Sequence, residues 1–299
     1  MAYQTGVTSS LLDLINTLFT FAESNGFTRG PTGSSGTNPV YDNYSLVKNG
    51  IYYTFQIPRT GTVFLYMNTA EAFTGSAWSL NNPGSLRIAQ IAGPHVGYHF
   101  FADQYAIHVV VEIVTNVFVH FNFGEIKKNG TWKGGQFITG LTWFDGVYER
   151  LHWSSSYVST PFDTYSIGSS STTSQDIKGH VRCQLSPQAT SGISTSITDG
   201  RCWFSAMADN YGRTLVNRSP NSMNGRAVLV PLNLIHGSTQ NNGPYYQLGH
   251  VTNAAVVNFR NLNPKEVVNG DWMVFPMSQK NGPATTYINS GNYGMAYKR

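Results

Sequence analysis

Charge is what this chain has least of: Asp, Glu, Lys and Arg make up 11% of its 299 residues, against roughly 25% in an average soluble domain. The surface is therefore left largely to Ser, Thr, Asn, Gly and Tyr. Neutral amides, hydroxyls and tyrosine rings lose less solvation on burial than full charges, so such surfaces suit packing against copies of the same chain or against glycans. Cysteine is nearly absent too. Cys183 and Cys202 are the only two, too few for a disulfide framework in a chain of this length, and nothing in the sequence brings their Cα atoms together. Both are expected to be reduced, a bridge requiring that they sit on adjacent strands.

Basic clusters are also missing. The 19 basic and 15 acidic residues give a net charge of +4 without a polybasic block. Capture of phosphates by collective counterion release therefore has no footprint, and no specific nucleic-acid binding is expected. No apolar stretch reaches the roughly 18 residues of a membrane span, and no basic segment followed by an apolar run and a cleavage site opens the chain. The expectation is a protein made in the cytoplasm, with no membrane span and no export signal.

The compact catalytic motifs are missing as well. There is no nucleophile elbow, zinc-protease helix motif or phosphate-binding glycine loop, so the chain is expected to be no enzyme and to carry no cofactor. A glycosidase-type carboxylate pair leaves no local motif, because its members come from distant strands. The nearest cluster is Asp145 and Glu149 beside Trp143, Tyr148 and Trp153, for which a solvated turn is the commoner explanation.

What the chain does have is strand sequence. From Tyr98 to Thr142 two nearly continuous apolar runs, dense in β-branched and aromatic residues, are joined at Thr115 and Asn116, which predicts a hairpin. Pairing Val114 with Val117 and counting outward sets Ile113 opposite Phe118, Val111 opposite His120 and His108 opposite Phe123. In that register both faces are apolar and both need cover, from a second sheet and an outer layer or from a neighbouring subunit. It also sends His108 and His120 to opposite faces, and with no cysteine or clustered carboxylate to complete a coordination sphere no metal site is expected. His108 and Glu112 share a face, and a buried Glu112 needs a partner such as an arginine or a tyrosine hydroxyl.

Further strands are expected at Ile51 to Pro58, Thr62 to Asn68, Phe137 to Phe144 and Tyr148 to Trp153. Shorter ones follow at His180 to Leu185, Arg201 to Met207, Ala227 to Val230, Val251 to Phe259 and Trp272 to Pro276. One amphipathic helix precedes them. Ser10 and Asp13 resemble a capping box, Leu11, Leu14, Ile15, Leu18 and Ala22 form a 3.6-residue stripe, and Asn25 and Gly26 stop it. Leu11, Leu14, Ile15 and Leu18 are candidates for an assembly helix, although docking on the chain's own sheet is the commoner outcome. The fold class is mainly β, with antiparallel β-sandwich-like domains and one N-terminal helix. The chain divides into a helical segment (1–30), a β-meander or sandwich region (31–153) and a second β region with long polar loops (154–299), the last two being one domain or two.

Aromatic residues are abundant, with 17 Tyr, 17 Phe and 6 Trp. Trp132, Trp143, Tyr148 and Trp153 are candidate stacking platforms for a glycan or an interface, since Tyr and Trp pair a flat apolar face with a hydrogen-bonding edge.

The opening MAYQTG, the stretch IHVVVEIV…VFVHFNFGEIKKNGTWKGGQFITG from Ile107 to Gly140 and the ending NYGMAYKR from Asn292 to Arg299 resemble structural proteins from virions of tailed bacteriophages. The resemblance covers the first half and the last few residues, in short segments. Similar proteins are tail, baseplate or neck components. It implies a virion protein of the tail or baseplate that assembles as a symmetric oligomer with copies of itself and other virion proteins. The alternative is a receptor-binding module that recognises host-surface glycans through aromatics and polar loops. The class assigns no chemical role to residues at these positions.

Overall fold

The structure is a computed structural model and describes residues 1–35, 40–59, 65–75, 78–80, 86–88, 91–141, 162, 179–184, 202–204, 227–237, 245–280 and 293–299. The period-2 patterns resolve into three antiparallel sheets. The central one has six strands in the order β1 (Ala2–Thr8), β9 (His95–Ala102), β10 (Ala106–Val114), β11 (Val117–Glu125), β13 (Lys133–Leu141) and β14 (Gly179–Gln184). A second sheet runs β2 (Thr28–Arg29), β4 (Tyr41–Lys48), β5 (Ile51–Pro58), β6 (Leu65–Phe73) and β7 (Trp78–Leu80), with β3 (Gly33–Ser35) on β4 and β8 (Leu86–Ile88) on β6. The C-terminal sheet runs β15 (Cys202–Phe204), β16 (Val230–Gly237), β17 (Tyr245–Asn258), β20 (Tyr293–Lys298), β19 (Trp272–Pro276) and β18 (Val267–Val268), with β12 (Lys127–Lys128) on β17.

The helix, α1 (Leu11–Glu23), starts where the sequence places it. The Ser10 hydroxyl accepts the Asp13 N–H at 3.2 Å. The Asp13 carboxylate reaches one residue further back than in a capping box and accepts from the Ser9 N–H at 2.8 Å. Gly26, at φ 86°, lets the chain turn away after the last turn. Leu11, Leu14, Ile15 and Leu18 are all buried in the chain's own core, so the stripe is spent on tertiary packing.

The central hairpin turns at Thr115 and Asn116 as expected, with Val114 opposite Val117, but the register beyond the turn is corrected. A bulge at Ile113 sets Glu112 opposite Phe118, Val111 opposite Val119, Val110 opposite His120, His108 opposite Asn122 and Ile107 opposite Phe123. One extra residue in one strand moves every later pair by one and exchanges the faces of the partner strand. The turn accounts for the bulge: Asn116 has φ 64°, and its N–H donates to Glu112 Oε1 at 2.8 Å, a contact that uses the extra residue.

With that register, each face of the central sheet is covered within the chain. Ile107, Val109, Val111, Val119, Phe121 and Phe123 meet α1 and the second sheet through residues such as Phe19, Phe27, Tyr53 and Phe55. Phe101, Val110, Phe118 and Phe137 meet the C-terminal sheet through Leu232, Val256, Phe275, Met295 and Tyr297. Each fully buried large apolar side chain contributes about 1.5–3 kcal/mol. The need for a neighbouring subunit over this hairpin therefore falls away.

Candidate functional site

Titratable groups gather between the central and C-terminal sheets. Because β9 pairs with β10 so that His99 faces Val110, and Val110 faces His120, the side chains of His99, His108 and His120 lie on one face of the sheet. The expectation that His108 and His120 point apart is thereby overturned, and the cause is the Ile113 bulge. All three are buried, and the C-terminal sheet covers them.

Each ring is engaged by its surroundings. Nε2 of His120 lies 2.9 Å from the carbonyl of Pro276 in β19, so it carries the proton and donates. Nδ1, at 3.1 Å from the Tyr297 hydroxyl on β20, is then the acceptor of a neutral ring. Nε2 of His108 donates in the same way to the carbonyl of Thr252 in β17 at 2.8 Å. Its Nδ1 meets the side-chain amide of Asn122 at 3.1 Å, which reaches on to the Thr139 hydroxyl at 3.2 Å. His99 Nδ1 lies 2.9 Å from the Tyr3 hydroxyl on β1. Rings fill the remaining space: Tyr297 stacks on Phe101 and on His108 with centroids 5.3 Å apart in each case, and Phe275 lies 5.0 Å from His99.

Burial sets the protonation of this layer. It pushes His120 down to about 4, and it does the same to His99, where the Lys265 ammonium adds to the effect and Glu112 opposes it. Burial also lowers His108 and His95 and raises the Tyr297 hydroxyl. At neutral pH the layer is uncharged. At its margin the Glu112 carboxylate accepts from Lys265 Nζ at 2.9 Å, and at the turn the Phe118 N–H donates to the Ser278 carbonyl at 2.8 Å. These contacts link the central sheet to β17, β19 and β20, so the arrangement holds the two sheets together. Among the described residues, no three His, Cys, Asp or Glu side chains converge where they could hold a metal ion.

Of the aromatic candidates, Trp132 alone is described. Its Nε1–H donates to the Leu248 carbonyl at 2.9 Å, Lys128 Nζ stands 5.3 Å from its ring centroid, and it packs on the core shared with the C-terminal sheet. It pins the 127–133 hairpin to β17. Trp143, Tyr148 and Trp153, together with Asp145 and Glu149, lie outside the described residues. Cys183 and Cys202 fall in strands of different sheets, β14 and β15. A buried Glu112 is expected to need an arginine or a tyrosine hydroxyl, but Lys265 supplies the contact, and no local signal links two residues this far apart. Comparison with protein-family models and with curated proteins finds no match.

Proposed function

We propose that this chain is a structural component of a tailed-phage virion, part of the tail or baseplate, and that it works as a symmetric oligomer. The observation that carries the assembly part is β1. It is the edge strand of the central sheet, and among the described residues no strand pairs with its outer side. Edge strands in soluble proteins are ordinarily blunted with charges or proline. β1 (AYQTGVT) has neither, and Val7 is 74% exposed; only a register shift between Gly6 and Thr8 interrupts it. An uncharged, unprotected edge suits a strand that meets another copy or a neighbouring virion protein, and the low charge of the whole chain reduces the desolvation cost of such contacts. The virion part rests on the likeness of the opening, central and closing segments to tail and baseplate proteins. The contacts of Trp132 give the glycan-binding alternative no support, because its N–H is already engaged by its own chain. Antibody labelling of purified particles in electron micrographs tests the proposal. Label on the tail or baseplate is expected, and label confined to free protein in the lysate overturns it.

A further inference from the structure

We propose that the interface between the central and C-terminal sheets is an acid-released joint: proton uptake by His99 and His120 parts these two sheets while the core around α1 stays folded. The inference does not depend on the virion reading.

The geometry is asymmetric in a way that supports it. The interface with the C-terminal sheet contains His99, His108 and His120, whereas the apolar core around α1 and the second sheet is built from Leu, Ile, Val, Phe, Tyr, Met and Ala side chains, with His95 at its margin between Thr8 and the Ile91 carbonyl. Among the described residues, the carboxylates facing the layer are already engaged by other donors. Glu112 is already paired with Lys265, whose own charge repels a proton on His99. The carboxylate of Asp103, near His108, accepts from the N–H groups of Tyr105 and Ala106 and from Asn253. Among the described residues, His120 meets the Tyr297 hydroxyl, the Phe275 ring and the Pro276 carbonyl, none of which carries a charge. A proton on His120 Nδ1 would also displace the Tyr297 hydroxyl from its role as donor. His108 differs, because the Asn122 amide can present either its oxygen or its NH2 to Nδ1.

Closed, His99 and His120 titrate near 4; opened to water, a histidine titrates at about 6.5. Between those values the open form binds the extra protons, so opening grows more favourable as pH falls and is unaffected above about 6.5. Each histidine that gains its proton on opening raises the opening constant about tenfold per pH unit.

Hydrogen exchange of the full chain, measured from pH 7 to 4.5 and corrected for intrinsic rates, tests this. Amides of β17, β19 and β20 should lose protection below about pH 6.5 with a slope of about two to three decades per pH unit, the third from His108, while α1, β4 and β5 keep theirs. His120→Gln, whose amide can still donate to the Pro276 carbonyl, should lower that slope by about one. Loss of protection in all three sheets together overturns the proposal, and so does an unchanged slope in His120→Gln. Should that variant fail to fold, the selectivity of exchange in the unaltered chain decides alone.

Discussion

Lys265 Nζ lies 2.9 Å from the carboxylate of Glu112, which is buried at 3% side-chain exposure while the lysine remains 42% exposed. The pair pins the central hairpin to the loop before β18, because Glu112 also holds the hairpin turn through the Asn116 N–H. Lys265→Met should strand the carboxylate against apolar surroundings. The expected loss is about 2 kcal/mol in urea unfolding, less than for a fully buried pair, because water screens the lysine end. Replacing both residues by Met should recover part of it.

Tyr297→Phe removes the hydroxyl that donates to His120 Nδ1. The variant should lose about 1 kcal/mol at pH 7 and begin to unfold at a higher pH than the parent on acidification. Starting from a lower stability, the variant exhausts it after fewer steps down the same acid slope. For the parent, the histidines held neutral contribute stability that is fully present above about 6.5 and lost as pH falls toward about 4. Circular dichroism followed from pH 7 to 4 reads both effects.

Val111 has no exposed surface and faces the core around α1. Val111→Asp places a carboxylate among side chains that offer it nothing, at a cost comparable to the whole stability of about 5–15 kcal/mol of a domain. No soluble folded protein is expected. A well-folded monomer on size-exclusion chromatography would show that the side chain faces solvent.

Much of this fold was legible in the sequence where signals were local. The Ser10 cap, the stripe of α1 and the turn at Thr115 and Asn116 each depend on residues within a few positions, and strands β5 and β19 fall where composition puts them. The pairing of the hairpin was not legible past the turn, because a bulge at Ile113 leaves no mark in a run of β-branched residues that pack well in either register. That single residue decided whether His108 and His120 share a face, and so the whole layer between the sheets was hidden. β1 was missed because AYQTGVT lacks apolar alternation; its partner β9 defines it. Lys265 could not be matched to Glu112, since only the packing of distant strands brings them together.

Gly124 has φ 145°, and a Cβ there would stand 2.5 Å from Ala106 Cα and from the Tyr105 carbonyl. Its own carbonyl accepts from the Tyr53 hydroxyl at 2.9 Å. Gly124→Ala should therefore push β11 away from β10 and cost about 3 kcal/mol, seen as a lower urea midpoint. An unchanged midpoint would mean that the strands pair differently there.

Quantitative mass spectrometry of purified particles tests the central claim most directly, by giving copies of this chain relative to the major capsid protein. A fixed whole-number multiple set by the symmetry of a ring or baseplate is the result expected of a symmetric virion part. Absence of the chain from washed particles, or a ratio that drifts between preparations, would contradict it and bring glycan binding to the front.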